Sequence, residues 1–409
     1  VRILYLHQYF MTRSGVGGTR SYEFARYLQH QGHQVTIVTA ASGRPARKNK
    51  TRRQEIDGIE VIEVSAGYAD YLQGTRQAYS RRIYNFLAFA FVSTWVGLSL
   101  PRPDVVLATS TPLTIGIPGL AVSKIRRAPL VFEVRDLWPE APVQMGALHS
   151  PLLIKAARWL EQTIYQHSAH IVALSPGMRE GIVASGIPAS KVTVVPNASD
   201  LDLFSPGVDG SGFRQRLGLN GQFACVYFGA MGAANGLGFV LDAASRLKQR
   251  NVQDIVFVLH GGGKERPMLE ARCASENLTN VVFSDPVPDK SAIAQLAAAA
   301  DVCMTIYKNV PVLYTCSPNK LFDSLAAGKA VLVNMPGWLQ ELVEQNRAGV
   351  FVEPDCPADF ADKVIHLRDH PEMCAEYGKN ARRLAEQQFA RHKLAGQIED
   401  ILSKVAGVA

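Results

Sequence analysis

Four stretches of this 409-residue chain combine residue types that hold phosphate. Ser14-Gly-Val-Gly-Gly-Thr-Arg20 follows an apolar run, Arg2–His7, and opens a helical pattern from Ser21 to Gln31, closed by Gly32. Glycines let a ligand approach the backbone, and a helix N-terminus offers free N–H groups and partial positive charge to an anion. The device recurs where Cys225–Phe228 ends in Gly229-Ala-Met-Gly232 before Asn235-Gly236, and where His260-Gly-Gly-Gly-Lys264 adds a cation. The fourth stretch, Ser317-Pro-Asn-Lys-Leu-Phe-Asp323, starts a helix that Gly328 ends. Asn319 and Asp323, four apart, share one helix face. With Lys320 and the free N–H groups of the first turn they form a phosphate-and-ribose clamp. Each stretch alone also fits a tight turn or a capped helix; together they favour a diphosphate ligand between two glycine-rich edges. The spacing is not Gly-x-Gly-x-x-Gly, and no acidic residue ends the run Val-Thr-Ile-Val-Thr39, which disfavours nicotinamide and flavin chemistry.

The elements that must position these residues are strands and helices in alternation. Arg2–His7, Gln34–Thr39, Ile59–Val64, Val105–Ala108, Leu130–Val134, Ile171–Leu174 and Val192–Val195 read as buried parallel strands bounded by turn residues. The pattern pauses after Asn197 and restarts with Phe223–Phe228, Ile255–His260, Val281–Phe283, Val302–Ile306, Ala330–Val333 and Val350–Val352. Two such series predict two doubly wound, Rossmann-like α/β domains facing across a cleft, over residues 1–200 and 201–390. Ligands of such sheets bind outside the carboxyl ends of the strands, where the glycine-rich stretches lie.

Composition narrows the partners. Residues 1–200 carry 22 Lys/Arg against 13 Asp/Glu and the rest 21 against 23, so the whole positive excess is in the first domain. Arg44, Arg47, Lys48, Lys50, Arg52 and Arg53 form one basic run, which reads either as a solvated loop or as an anion-binding patch. No aromatic-studded nucleic-acid motif accompanies it, so lipid is the better anionic partner. Ile83–Leu100 is uncharged for 18 residues, the lower edge for a membrane span. Strands precede and follow it, so a core or interfacial helix is expected, with Tyr79, Arg81 and Arg82 suited to a headgroup region. Six scattered cysteines argue against a disulfide framework or a zinc site. No acidic or histidine ligand set suggests a metal, and no cofactor is expected. The opening residues lack a signal-peptide pattern, so a cytoplasmic protein is expected.

On Leu6-His-Gln-Tyr-Phe10, Gly17-Gly-Thr-Arg-Ser-Tyr-Glu-Phe-Ala25, Arg135-Asp-Leu-Trp-Pro-Glu140, Val195-Pro-Asn197 and Ser317-Pro-Asn-Lys-Leu-Phe-Asp323, the chain resembles the family-4 retaining glycosyltransferases of the GT-B fold. The resemblance covers essentially the whole length. It is nearest the O-antigen and capsule branch that includes N-acetylfucosaminyl transferases. It implies that Gly17 and Gly18 lie beneath the donor diphosphate. Arg135 and Asp136 would stand where relatives carry a His-Asp pair at the transferred sugar. Asp323 would hold the ribose, and the loop Asp285-Pro-Val287-Pro would read the base. It also implies that the segment 391–409 returns as a helix to the first domain. Three departures from the family pattern stand out, one of them a pair of positions. Thr315 replaces the first acid of a paired motif, Ala230 or Met231 and Asn235 replace two basic residues, and Arg135 replaces His. Diphosphate neutralisation then falls to Lys320, with Lys264, Arg20 and backbone N–H groups of the Gly229–Gly232 turn and Ser317.

The resemblance implies transfer of an N-acetylhexosamine from a UDP-sugar to a polyprenyl-diphosphate-linked saccharide at the inner leaflet of the cytoplasmic membrane. In the front-face mechanism proposed for such enzymes the leaving phosphate accepts the proton of the acceptor, so no protein base is required. Two rival readings are a UDP-sugar epimerase of similar fold, which needs no acceptor, and a silent sugar-nucleotide binder, which releases no UDP.

Overall fold

The computed structural model describes residues 1–13, 15, 17–41, 51–65, 79–219, 221–287 and 289–408, with the backbone alone at Tyr79, Ser80 and Arg82. The β-branched runs pair into two twisted sheets, and their central strands are buried on both faces because helices cover each side. The first sheet contains β1 (Arg2–Leu6), β2 (Gln34–Ala40), β3 (Arg52–Ile56), β4 (Ile59–Val64), β5 (Val105–Thr109), β6 (Leu130–Val134), β7 (His170–Ala173) and β8 (Val192–Val194). Their order is β3-β4-β2-β1-β5-β6-β7-β8, parallel except for the β3/β4 pair. The second sheet contains β9 (Phe223–Phe228), β10 (Ile255–His260), β11 (Val281–Ser284), β12 (Val302–Thr305), β13 (Ala330–Val333) and β14 (Gly349–Phe351). Its order is β11-β10-β9-β12-β13-β14, parallel throughout. The strand order reverses at β1/β5 and at β9/β12. At those switch points the loops leave a crevice beyond the strand ends.

Alternation within each strand sorts the cores. In β1, Ile3 and Tyr5 enter one cluster while Leu4 and Leu6 enter the other, the two faces of the sheet. Helix α1 (Arg20–His30) covers the Ile3/Tyr5 face through Phe24, Ala25 and Leu28. The chain returns to the same face at its end. In α7 (Arg391–Ala406), Leu394, Ala395, Ile398 and Leu402 are buried in that cluster.

The opposite face carries α2 (Tyr79–Ser99), α3 (Gly116–Arg126) and α4 (Pro151–His167). The uncharged segment is neither wholly core nor a span. Phe89, Ala90, Ser93 and Gly97 of α2 are buried, while Tyr84, Leu87, Phe91 and Trp95 form an exposed stripe, Phe91 at 66% and Trp95 at 63%. No described helix is long and apolar enough to cross a membrane.

One strand departs from expectation. Arg52 and Arg53 stand on β3, paired antiparallel to β4, with Arg53 3.6 Å from Glu60. An exposed edge strand tolerates Arg-Arg-Gln-Glu, so it shows no apolar run. Arg44, Arg47, Lys48 and Lys50 lie outside the described residues, as do Ser14, Val16 and Pro288.

Candidate active site

A cavity of about 360 Å³ opens at the two switch points, lined by His7, Tyr9, Met11, Gly17, Gly18, Thr111, Arg135, Asp136, Leu174 and Asn197 of the first lobe and its exit, and by Tyr307, Cys316, Ser317, Pro318 and Asn319 of the second. The volume suits a small organic ligand. The β1–α1 loop contributes Met11, Gly17 and Gly18. A Cβ on Gly18 would lie 3.2 Å from Asn319 Nδ2 and 3.5 Å from an Arg135 terminal nitrogen. Glycine there sets how closely the first lobe approaches the second. Gly17 has φ +151°, a conformation that side chains rarely adopt.

Arg135 and Asp136 follow β6. The Arg135 N–H donates to Ser110 Oγ at 3.0 Å, and Thr111 Oγ1 donates to Asp136 Oδ2 at 2.7 Å. Burial raises the Asp136 pKa against the opposing pull of Thr111 and Arg135. His7 directly follows β1, with Nδ1 2.7 Å from Ser21 Oγ. Burial, helped by Arg135, lowers its pKa well below the ordinary histidine range, so the ring is neutral at pH 7. The sequence expectation assigned no role to His7, Tyr9, Thr111, Asn197, Tyr307 or Cys316. Position at a strand end was the signal that His7 and Thr111 offered.

Helix α6 (Asn319–Ala326) supplies the second lobe's contribution. Asn319, in its first turn, reaches the cavity, and Ser317 precedes it. Asn197 fixes this loop, its backbone N–H donating to Ser317 Oγ at 3.0 Å and its side chain to the Ser317 carbonyl at 2.5 Å. Lys320 Nζ donates to Tyr227 Oη at 2.7 Å and to Asn235 Oδ1 at 3.1 Å, and lies 4.1 Å above the Tyr227 ring and 5.0 Å from that of Tyr307. A Cβ on Gly229 would stand 3.3 Å from Lys320 Cε. Gly229, Asn235 and Lys320 therefore form one unit, and Asn235 occupies a position where the family pattern has a base. Burial lowers the Lys320 pKa to about 7, with the neighbouring Cys316 opposing. Asp323, a turn deeper, is buried, with Oδ1 lacking a hydrogen-bond partner among the described residues. Burial raises its pKa, and Lys290 and Arg391 oppose.

Arg20 corrects an expectation. It does not line the cavity; it is 2% exposed, with Nε 2.9 Å from Glu133 and a terminal nitrogen 2.8 Å from the Val195 carbonyl. The first residue of α1 turns inward, and its charge is neutralised by a buried carboxylate. Lys264 is exposed on the loop after β10, Gly232 has open space beyond its Cα, and Val287 is half-buried on the loop after β11; none of the three lines this cavity. The two loops lie side by side, since a Cβ on Gly262 would meet Pro286 at 3.6 Å. Thr315 turns away from the cavity. Its Oγ1 donates to Val312 O at 2.8 Å, its carbonyl accepts from Ser175, and a Cβ on Gly177 would lie 3.0 Å from its methyl group. The position of the missing acid is thus part of the seam between the lobes. No group of three or more His, Cys, Asp or Glu that could hold a metal occurs among the described residues.

Two parallel-sheet lobes with facing glycine-rich strand ends and a shared cavity define the GT-B class of glycosyltransferase. Residues 15–198 match the glycosyl transferase 4-like domain and residues 222–370 match the glycosyl transferases group 1 domain; the chain belongs to the glycosyltransferases built from this pair. It is 24% identical over 311 residues to alpha-maltose-1-phosphate synthase of Mycolicibacterium smegmatis, covering 71% of this chain and 77% of that one. Among solved structures, sucrose-phosphate synthase from Thermosynechococcus elongatus superposes with a TM-score of 0.77 at 18% identity, covering 100% of both chains. Anabaena HepE in complex with UDP-glucose superposes with a TM-score of 0.72 at 19% identity, covering 98% of this chain and 99% of that one. The protein is a glycosyltransferase.

Proposed function

We propose that this glycosyltransferase moves an N-acetylhexosamine, N-acetylfucosamine among the candidates, from a UDP-sugar to a polyprenyl-diphosphate-linked saccharide, with retention at the anomeric carbon, in bacterial surface-polysaccharide assembly. The observation that carries the reading is the cavity itself. One wall is the Gly17–Gly18 loop with Arg135 and Asp136, the other the Ser317–Asn319 helix start with Lys320 close behind. The first turn of α6 borders the cavity, and Lys320 lies one residue beyond its lining, held by Tyr227 and Asn235; the helix N–H groups and this ammonium would stabilise charge as UDP departs. Arg135 adds a second cation, and Asp136, held by Thr111, orients a sugar hydroxyl. The bond from the anomeric carbon to the β-phosphate oxygen breaks as the acceptor oxygen bonds on the same face. The acceptor's proton passes to the leaving phosphate. No metal or cofactor enters the proposal.

A lipid-linked acceptor requires work at a bilayer surface. Supporting this, eight of the ten exposed large hydrophobic side chains among the described residues belong to α2, α3 and α4: Tyr84, Leu87, Phe91, Trp95, Ile125, Leu152, Leu153 and Trp159. Exposed cations Lys124, Arg127, Lys155 and Arg158 stand among them, and neither α2 nor α3 carries an acidic residue. Aromatic side chains ringed by cations suit an anionic leaflet.

The test is transfer of radiolabelled sugar from UDP-N-acetylhexosamines to a synthetic polyprenyl-diphosphate saccharide, with the product's anomeric configuration read by NMR. A lipid-linked product with the donor's configuration supports the proposal. Transfer only to water-soluble acceptors, or inversion, overturns it.

A further inference from the structure

The chain passes between the lobes twice, and both passages meet at Asp200. Ser199 bridges Ala390, its N–H donates to the Phe389 carbonyl at 3.2 Å, and the Arg391 N–H donates to the Ser199 carbonyl at 3.3 Å. The Asp200 side chain, 10% exposed, gathers cations from three separate segments. Arg391, at the start of α7, pairs with both carboxylate oxygens. Lys290 Nζ donates to Oδ2 at 3.1 Å; it opens α5 (Lys290–Ala299), which follows the loop after β11. Arg13 brings a terminal nitrogen to 3.7 Å of Oδ1. Arg13 belongs to the β1–α1 loop, where Met11, Gly17 and Gly18 line the cavity. Its guanidinium is also held by the buried Glu23 of α1, at 2.6 and 2.9 Å. Burial alone would raise the Asp200 pKa, but Arg391, Lys290 and Arg13 bring it down to about 2.

The contacts are unequal. Arg391 and Lys290 are largely buried, at 12% and 18%, and hold Asp200 closely; Arg13 is 41% exposed and stands farthest off. The first-lobe contact is therefore the one that can open while the others persist. Asp323 sits beside the same cluster, so its charge is felt by Lys290 and Arg391. Six ionic groups, Glu23, Asp200, Asp323, Arg13, Lys290 and Arg391, thus balance three against three at the seam. On the transferase reading, a nucleotide held by Asp323 and the loop after β11 would alter that balance, and Arg13 joins the cluster to the β1–α1 loop.

We propose that Arg13 and Asp200 are a positioning pair for sugar transfer, holding Met11, Gly17 and Gly18 of the β1–α1 loop against the second lobe when nucleotide is bound without touching the donor themselves. The proposal rests on the transferase reading above.

The test compares Arg13→Ala, Arg13→Lys and Asp200→Asn with the wild type in UDP affinity, kcat and UDP-induced compaction measured by small-angle X-ray scattering. Arg13→Ala leaves the buried Glu23 without its cation and is expected to lower Tm, yet to keep its UDP Kd within about threefold, while kcat of the folded protein falls at least ~10-fold. Arg13→Lys recovers most of that loss. UDP compacts the wild type but neither Arg13→Ala nor Asp200→Asn. An Arg13→Ala kcat within about twofold of wild type overturns the proposal, as does undiminished compaction. Loss of UDP affinity, kcat and Tm together in Arg13→Ala would show a folding staple and also overturns it. Compaction needs no turnover, so a wild type that compacts with UDP yet transfers no sugar would count against the transferase reading alone.

Discussion

At the scale of single residues, Lys320 concentrates the most chemistry. Its ammonium lies between two tyrosine rings, with Tyr227 and Asn235 as acceptors and no carboxylate among its hydrogen-bond partners. With a pKa near 7 instead of the ordinary 10.5, it loses charge as pH rises through neutrality. A diphosphate needs the charged form. The KM for donor is therefore expected to climb on the alkaline side of pH 7, by up to about tenfold per pH unit. The sign for stability is opposite. Between about 7 and 10.5 the unfolded chain binds a proton that the native protein lacks, so native stability rises with pH across that window. Lys320→Met should abolish both slopes, read by chemical denaturation and by donor KM over pH 6–9, and should lower kcat by about 100-fold. A flat KM profile in the wild type would remove Lys320 from the donor site. Gly18 offers a steric test. Its Cβ position is 3.2 Å from Asn319 Nδ2, so Gly18→Val should cut kcat/KM by about 100-fold with little change in Tm, since it blocks approach of the lobes and not folding.

At the scale of elements, the sequence disclosed periodicity better than direction. Strands buried on both faces are apolar throughout, which made nearly all of them legible. Strand β3 was not, because an edge strand with one solvated side keeps its charges. Of the residues singled out in the sequence, Gly17, Gly18, Ser317 and Asn319 line one cavity with Arg135 and Asp136, whereas Gly229 and Gly232 do not. Arg20 was misassigned because composition cannot tell which way the first residue of a helix turns. Tyr307 and Thr111 went unnoticed because only the fold brings chain positions almost 200 residues apart together. Two predictions belong here. Arg20→Met leaves Glu133, 1% exposed, buried without its cation, so the first lobe should lose about 3–5 kcal/mol in urea unfolding. A loss below about 1 kcal/mol would mean that the ion pair is dispensable. In α2, Phe91→Ser with Trp95→Ser removes exposed groups only. Affinity for phosphatidylglycerol-containing vesicles should fall at least ~10-fold with Tm unchanged, and undiminished binding would dismiss this face as the docking surface.

At the scale of the whole molecule, two independently cored lobes are joined at a seam where both chain crossings, the Asn197–Ser317 hydrogen bonds and the Asp200 cluster meet. Helix α7 belongs by packing to the lobe at the other end of the chain. Fully burying Leu394, Ile398 and Leu402 contributes about 1.5–3 kcal/mol each, so deleting residues 391–409 should unfold the first lobe while the second stays folded, as differential scanning calorimetry would show. If the cavity between the lobes transfers a sugar from UDP to an acceptor, UDP release must depend on that acceptor. The most direct measurement is UDP release from a panel of UDP-N-acetylhexosamines, with and without a polyprenyl-diphosphate saccharide, for the wild type and Lys320→Met. The account predicts acceptor-dependent release from one preferred donor, lost in Lys320→Met. UDP binding without release from any donor, or conversion of the donor sugar with no acceptor present, would contradict it.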